Sequence, residues 1–225
     1  MSKISDGIKQ STKKLRFTLL AAFFNFIKNS IDLDFQNPCD NSALRKLFRA
    51  GKPAQFKIFE KDLIDEIIFR TPNPRNRLIL ELMARACMRV GEVLKLTPRD
   101  IEDRKAIIRD PKSGKEAEVA FLPQKVADRL KKYISDNGIE SGDRIFPITY
   151  AAARIVVKKA GELVGIHLKP HDLRRHAATY ASRSGTPLEI VSKLLLRHSN
   201  LSTTQRYLGI ISDVKAMRWI DNLYG

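Results

Sequence analysis

The stretch KPHDLRRHAATYASRSG, residues 169–185, decides the fold of this chain. Pro170 stands where the first turn of a helix tolerates proline, and Gly185 is placed to end that helix. His171 and Arg174 are separated by one helical turn and therefore share a face. A planar guanidinium can hold two phosphate oxygens at once, and a neighbouring imidazole can take a proton near neutral pH. The stretch predicts a helix with a phosphate-binding face, and the alternative is a solvated face.

A second stretch, LLLRHSNLSTTQRYLG at residues 194–209, places His198 and Tyr207 close together in the chain. Upstream, residues 186–189 (TPLE) fit a capping box with proline at the first helical position, which predicts a helix ending near residue 196. Residues 202–205 (STTQ) fit a second capping box, so Tyr207 is predicted to lie in a short helix. A tyrosine in such a place can act as a nucleophile, and the alternative is a core or interface aromatic.

Arg89 lies in RACMRVGEVLKLTPRDIE, residues 85–102, with apolar neighbours on both sides. An arginine in so apolar a stretch is predicted to be partly buried, and a buried arginine needs an anion. Glu92, one turn later, is placed to orient it. The alternative is an ordinary Arg89–Glu92 pair on the surface of a helix.

Lys112 is predicted to lie in the turn of a β-hairpin. Residues 105–109 and 117–122 have the composition of strands, and Pro111 to Lys115 form their connection. A lysine at a hairpin tip can reach a ligand, although turn lysines are usually solvated. Lys115 fits the same role from its position.

The remaining sequence predicts a mainly α-helical protein with a small antiparallel β-sheet, in the α+β class. Gly51 and Pro53 break the helical pattern, so we predict a short helical region at 1–50, a linker at 51–59 and a larger domain at 60–225. The predicted helices cover 11–29, 42–49, 61–69, 75–86, 90–96, 124–136, 149–164, 170–184, 187–196 and 213–224.

The charge balance favours a polyanionic partner. The chain has 41 Lys and Arg against 25 Asp and Glu, a net charge of +16, and neutralising phosphates releases counterions. Cys39 and Cys87 lie far apart, so neither a disulfide framework nor a zinc site is predicted. No Asp/Glu cluster has the spacing of metal ligands, which argues against a two-metal nuclease. The longest apolar run, Leu19 to Phe24, is too short to span a bilayer, and the N-terminus lacks the apolar stretch of a signal peptide. A cytoplasmic location is expected.

The order Arg89, Lys112, His171, Arg174, His198, Tyr207 resembles that of the tyrosine recombinases, also called the phage-integrase family. Residues 85–102 look like the family's first arginine box, 171–185 like its second box and 194–209 like its nucleophile box. The resemblance covers roughly residues 55–211. It implies a tyrosine-recombinase catalytic domain at 60–225, preceded at 1–50 by a shortened form of the family's helical core-binding domain. Cys87 stands where the family usually has a glycine.

The resemblance implies a role for each of the six residues. Tyr207 attacks the scissile phosphate, which forms a 3′-phosphotyrosyl link and frees a 5′-hydroxyl. Arg89 and Arg174 neutralise the phosphate oxygens, and Lys112 protonates the leaving oxygen. The resemblance also makes His171 the group that accepts or steers the tyrosine proton, and His198 a hydrogen-bond donor to a phosphate oxygen. It implies that no metal or other cofactor is needed.

The implied partner is double-stranded DNA, bound by a homo-oligomer that forms a tetrameric synapse through the C-terminal helix at 213–224. Accessory directionality or DNA-bending proteins and association with the nucleoid fit the same picture. The sequence favours a site-specific recombinase or integrase. A type IB-like DNA topoisomerase and a DNA-binding relative that does not cut remain as alternatives.

Overall fold

A computed structural model of the chain describes residues 7–49, 57–111, 114–198, 200–201 and 203–204. Its contacts divide the chain into two compact units, residues 1–55 and 56–225. That division falls inside the predicted linker at 51–59, while the assignment of the first unit to DNA binding stays a prediction. Across the described ranges, no helix is long and apolar enough to cross a membrane.

The first unit contains two helices, α1 (Gln10–Ser30) and α2 (Ser42–Leu47). Both were predicted, within three residues at each end. The Asn41 side chain begins α2 by accepting hydrogen bonds from the backbone N–H groups of Ala43 and Leu44. The Asn37 amide donates to the Ala21 carbonyl at 3.1 Å, and the rings of Phe17 and Phe48 stack 4.8 Å apart. The unit is therefore held together by contacts between α1 and the chain that follows it.

The second unit is mainly helical with one small sheet, and the predicted α+β class is confirmed. Asn73 caps the helix that begins at Pro74, and Thr149 caps the one that begins at Tyr150. Gly185 has a φ of +89° just after the helix that carries His171, as its predicted role in ending that helix requires. The helices are α3 (Lys61–Arg70), α4 (Pro74–Arg85), α5 (Val90–Val93), a 3₁₀ turn (Pro98–Asp100), α6 (Gln124–Asp136), α7 (Tyr150–Glu162), α8 (Pro170–Arg183) and a π-helix (Ile190–Leu195).

Helix α4 is the centre of this unit. Its residues from Leu78 to Ala84 are all buried, so the helix is covered on every side. It contacts α3, α5, α6, α7 and α8. The predicted helix at 90–96 is shorter than expected and ends at Val93. Burial around α4 fixes where α5 and α8 lie. Arg89 directly precedes α5, and Arg174 lies in the second turn of α8.

The sheet has three antiparallel strands in the order β1 (Ile101–Glu102), β2 (Lys105–Arg109) and β3 (Ala117–Phe121). The sequence pattern predicts β2 and β3 but not the two-residue β1. In the β2–β3 register, Ile108 lies opposite Glu118. The side chains of both are buried, whereas Val119 and Phe121 are on the exposed face of β3. A carboxylate therefore occupies an inward position of the sheet.

The segment after Gly185 differs from the prediction in its helix type. We expected an α-helix to about residue 196, but Ile190 to Leu195 form a π-helix. Single-turn π-helices of this kind are rare in proteins, but those that occur often lie at functional sites. Val191 and Leu196 pack with Ala178 of α8 in a small apolar cluster, which fixes this segment against α8.

Candidate active site

Arg174 is the most deeply buried charged side chain of the described residues. It lies in α8, where only 1% of its surface is exposed. One terminal guanidinium nitrogen, Nη1, donates a hydrogen bond to the Cys87 carbonyl, and the other, Nη2, donates to the Leu196 carbonyl. These carbonyls belong to the turns that precede Arg89 and His198. Arg174 therefore connects the turn before Arg89 with the turn before His198.

Arg89 lies at the start of α5 and is held by Glu92. Its guanidinium donates to one Glu92 carboxylate oxygen at 2.5 Å, and its backbone N–H donates to the other at 2.8 Å. The Arg89 side chain is 28% exposed while that of Glu92 is buried. The prediction of a partly buried arginine oriented by Glu92 is confirmed, and the alternative of a plain surface pair is wrong.

Arg89, His171 and Arg174 border one pocket of about 590 Å³. The His171–Arg174 face of α8 thus meets the start of α5 at this pocket. The pocket is strongly basic. Among the described residues that line it, the acidic ones are Glu92 and Asp110, whereas the further cationic ones are Lys95, Arg109, Arg154 and Lys169. A basic concave site of this kind attracts anions such as phosphate.

The two candidate histidines lie within the electrostatic field of these arginines. Burial, together with the charges of Arg174, Arg175 and Arg89, lowers the pKa of His171. Burial and then Arg174 and Arg89 lower the pKa of His198 to about 4. Both imidazoles are therefore neutral near pH 7, and a neutral imidazole can accept a proton or donate a hydrogen bond.

A hydroxyl chain holds His198 in place. Its Nδ1 lies 3.0 Å from the Thr204 hydroxyl, which in turn donates to the Ser192 hydroxyl at 2.8 Å. The His198 backbone N–H donates to the Ser192 carbonyl at 2.9 Å. Thr204 is fully buried, so the ring is anchored from the interior.

A buried cation without a carboxylate partner marks an anion site. Arg174 forms no ion pair with Asp or Glu within the described part of the chain, and its Nε has no hydrogen-bond partner there. Burial, followed by the charges of Arg89 and Arg197, lowers its pKa to about 10, so it remains charged at pH 7. A buried charge needs compensation, and an anion bound in the adjoining pocket would supply it.

Cys87 adopts a backbone conformation that favours glycine. Its φ is +52°, in the left-handed region, and its side chain is buried. This conformation turns the Cys87 carbonyl onto Arg174. It gives a physical reason for the glycine that the family usually has here.

The Cys87 thiol is expected to be unreactive in the folded protein. Burial raises its pKa to about 11, although Arg174 and Arg197 act in the opposite direction. Compared with an ordinary value of 9.0, its thiolate fraction at pH 8 is about 100-fold smaller. Alkylation of the native protein at pH 8, followed by peptide mass spectrometry, checks this. Labelling of Cys87 as fast as in urea would contradict it.

The structure brings four of the six predicted residues together, and two lie outside the described residues. Arg89, His171 and Arg174 border the pocket, and His198 is close enough for all three to lower its pKa. Lys112 and Tyr207 are not among the described residues. The predicted C-terminal helix at 213–224 also lies outside them.

The sequence pattern does not single out four residues that contact the candidate site, namely Arg197, Glu118, Ser192 and Thr204. Arg197 and Thr204 stand inside the quoted stretch at 194–209, but only the neighbouring His198 and Tyr207 received roles. His176, to which the sequence pattern assigns no role, is buried, and its Nδ1 lies 2.8 Å from the Phe59 carbonyl oxygen. Its position indicates a structural contact between α8 and the start of the second unit.

Comparison with known proteins identifies the class. The model of the phage integrase family matches residues 59–210. That range includes all of the second unit described above except its ends, and all six candidate residues. The chain belongs to the phage integrase family, that is, to the tyrosine recombinases.

Curated relatives agree with this assignment. The chain is 29% identical over 175 residues to the tyrosine recombinase XerA of Saccharolobus solfataricus, covering 77% of this chain and 59% of that protein. It is 27% identical over 222 residues to a tyrosine recombinase of Pseudothermotoga lettingae, covering 96% and 76% respectively. It is 32% identical to XerA of Pyrococcus horikoshii, covering 67% of this chain and 56% of that one. The chain thus spans less than two thirds of both XerA relatives.

Solved structures show the same fold. The crystal structure of the XerA recombinase has a TM-score of 0.64 at 19% identity and covers 95% of this chain and 77% of its own. XerH site-specific recombinase bound to difH substrate has a TM-score of 0.71 at 19% identity, covering 98% and 67%. At these identities the likeness establishes the architecture alone.

Proposed function

We propose that the chain is a site-specific DNA recombinase or integrase that cleaves and rejoins strands through a 3′-phosphotyrosyl intermediate at Tyr207. The observation that carries this proposal is the buried Arg174, which borders a basic pocket without an ion-pair partner among the described residues. Membership of the family supplies the class of reaction. The partner is double-stranded DNA, in keeping with the net charge of +16.

In this proposal the pocket binds the scissile phosphate. Arg174 and Arg89 hold its two non-bridging oxygens, where negative charge builds as the phosphorus becomes five-coordinate. Glu92 keeps the Arg89 guanidinium at the pocket wall through the 2.5 Å hydrogen bond. His198, anchored by Thr204, supplies a further hydrogen bond to one of these oxygens.

The chemical step exchanges one phosphoester for another. The Tyr207 oxygen forms a bond to phosphorus while the bond from phosphorus to the 5′-oxygen breaks. His171, neutral because its pKa is lowered, takes the tyrosine proton, and Lys112 gives a proton to the leaving 5′-oxygen. Attack by a 5′-hydroxyl of another strand reverses the step and joins new partners. Since each bond broken is replaced by one of the same kind, no ATP is needed.

A covalent-adduct assay tests the proposal. The protein is incubated with nicked suicide duplexes tiled across the DNA that flanks its gene, and protein–DNA adducts are resolved on denaturing gels. We expect an adduct with one or a few duplexes and none with Tyr207→Phe, which lacks only the nucleophilic oxygen. The matched control is Tyr150→Phe, because Tyr150 is an exposed tyrosine at the pocket rim. This control should still form the adduct.

The outcomes separate the alternatives. Adduct formation together with strand exchange between two duplexes supports recombination. Adduct formation with relaxation of supercoiled DNA but no exchange would favour a topoisomerase. DNA binding without any adduct would identify a relative that does not cut.

A further inference from the structure

Arg197, the residue before His198, is buried although it carries a charge. Its side chain is only 4% exposed, and its φ of +52° places it in the left-handed region, which a non-glycine residue rarely adopts. Such a conformation costs roughly 1–3 kcal/mol and persists where surrounding contacts hold it. A buried, strained arginine beside a candidate site therefore needs an explanation in its contacts.

Its guanidinium joins carboxylates from two other elements. Nη2 donates to Glu92 of α5 at 2.6 Å, and Nε lies 3.2 Å from a carboxylate oxygen of Glu118 on β3. The third nitrogen, Nη1, donates to the Leu195 carbonyl at 3.1 Å. Glu92 also binds Arg89. We call Arg89, Glu92, Arg197 and Glu118 the buried ion network.

The network connects three parts of the site, namely the start of α5, strand β3 and the turn before His198. Through Glu92 it reaches the start of α5, and through Glu118 it reaches the β2–β3 hairpin, whose connecting sequence contains Lys112. Through the backbone it fixes the residue next to His198. Glu118 is buried opposite Ile108, and in the described part of the chain its only ion-pair partner is Arg197. The carboxylate thus serves to hold this arginine.

We infer that Arg197 is a positioning residue, which aligns the His198 segment with Arg89 and with the hairpin that contains Lys112. This role rests on the proposed function, because it concerns the geometry of the cleavage step. Arg197 has no contact with the substrate in this assignment. Since small displacements of reacting groups can slow a reaction by about 100-fold, its loss should lower the rate of cleavage more than the affinity for DNA.

Glycine is the substitution that tests this role, because glycine adopts the local backbone conformation without strain. Arg197→Gly leaves Glu118 buried without a partner, so the double variant Arg197→Gly/Glu118→Gln removes that unpaired charge and keeps the fold. Both are compared with Glu118→Gln alone, with the conservative Arg197→Lys and with Arg183→Gln. The last removes an exposed arginine at the end of α8.

The measurements are the single-turnover rate of adduct formation at saturating suicide duplex, the DNA dissociation constant and the far-UV circular dichroism. We expect the double variant to be folded, to bind DNA within about threefold of wild type and to cleave about 100-fold more slowly. Arg197→Lys should recover part of the rate, because it restores the charge without the forked geometry. Arg183→Gln should cleave as wild type does.

A folded double variant that cleaves at the wild-type rate would overturn the positioning role and leave the proposed function intact. The role would also be wrong if weaker DNA binding explained the whole loss of rate. In that case the double variant would cleave slowly at subsaturating DNA, in proportion to its lower affinity, and at the wild-type rate at saturating DNA. Absence of any adduct with the wild-type protein would remove the proposed function and this role with it.

Discussion

The variant Arg174→Lys is expected to cleave DNA about 100- to 1000-fold more slowly than the wild-type protein, the usual effect of losing one preorganised oxyanion contact. Lysine keeps the positive charge, but all its donors are on one nitrogen. That nitrogen cannot reach the Cys87 carbonyl, the Leu196 carbonyl and a phosphate at once, as the separate nitrogens of the guanidinium can. The turns before Arg89 and His198 then lose their common anchor. The rate of adduct formation on the suicide duplex, measured in single turnover, gives this effect directly.

The matched control is Arg183→Lys, on the same helix but 39% exposed and paired with Glu60. It should cleave at the wild-type rate, since exposed ion pairs contribute little and lysine can replace arginine there. Circular dichroism of both variants distinguishes lost chemistry from lost folding. Rapid cleavage by a folded Arg174→Lys would show that the buried guanidinium does not contact the phosphate.

Much of the candidate active site could be predicted because its signals are local. The pair His171 and Arg174 falls on one face of α8 as a result of helical geometry, and Pro170 and Gly185 fix where that helix begins and ends. Apolar neighbours around Arg89 indicated its burial. Each of these inferences needs only residues within one or two turns.

The buried ion network could not be predicted because its members are far apart in the sequence. Arg197 and Glu92 are separated by 105 positions, and only the tertiary fold places them together. The alternation along β3 gives the opposite indication, since it would turn Val119 and Phe121 inward. The structure instead buries Glu118, whose charge is offset by Arg197. Long-range pairing thus overrides the hydrophobic pattern of a short strand.

The strained backbone conformations at the site could not be predicted from the sequence pattern either. Cys87 and Arg197 both have left-handed backbone conformations, and neither residue type favours such a conformation. Cys87 lies two residues before Arg89, and Arg197 lies directly before His198. Contacts that involve buried arginines hold both of them. Strain at a functional site is maintained by its surroundings, so it becomes visible only when those surroundings are known.

The substitution Glu92→Gln is expected to destabilise the protein by about 3 kcal/mol at pH 7, because it leaves the buried Arg197 without its closest countercharge. Glu92 binds both Arg89 and Arg197, and glutamine cannot compensate either charge. Urea unfolding followed by far-UV circular dichroism measures the difference. Glu66→Gln is the control, since Glu66 forms an exposed pair with Arg70 in α3 and should change the stability very little.

The effect of Glu92→Gln should also depend on pH in one direction. Burial alone would raise the pKa of Glu92, but Arg197 and the hydrogen bonds from Arg89 outweigh it, and the net pKa lies below the ordinary 4.5. A carboxyl with a lowered pKa in the folded state stabilises the protein above its unfolded pKa, and this stabilisation is lost as the pH falls through the folded pKa. The stability difference between wild type and Glu92→Gln should therefore stay constant from pH 6 to 8, to within about 0.5 kcal/mol, which is the usual size of surface effects. Below pH 4.5 the difference should shrink. A difference that stays constant at low pH would mean that glutamine disturbs packing and that the charge of Glu92 does not stabilise the site.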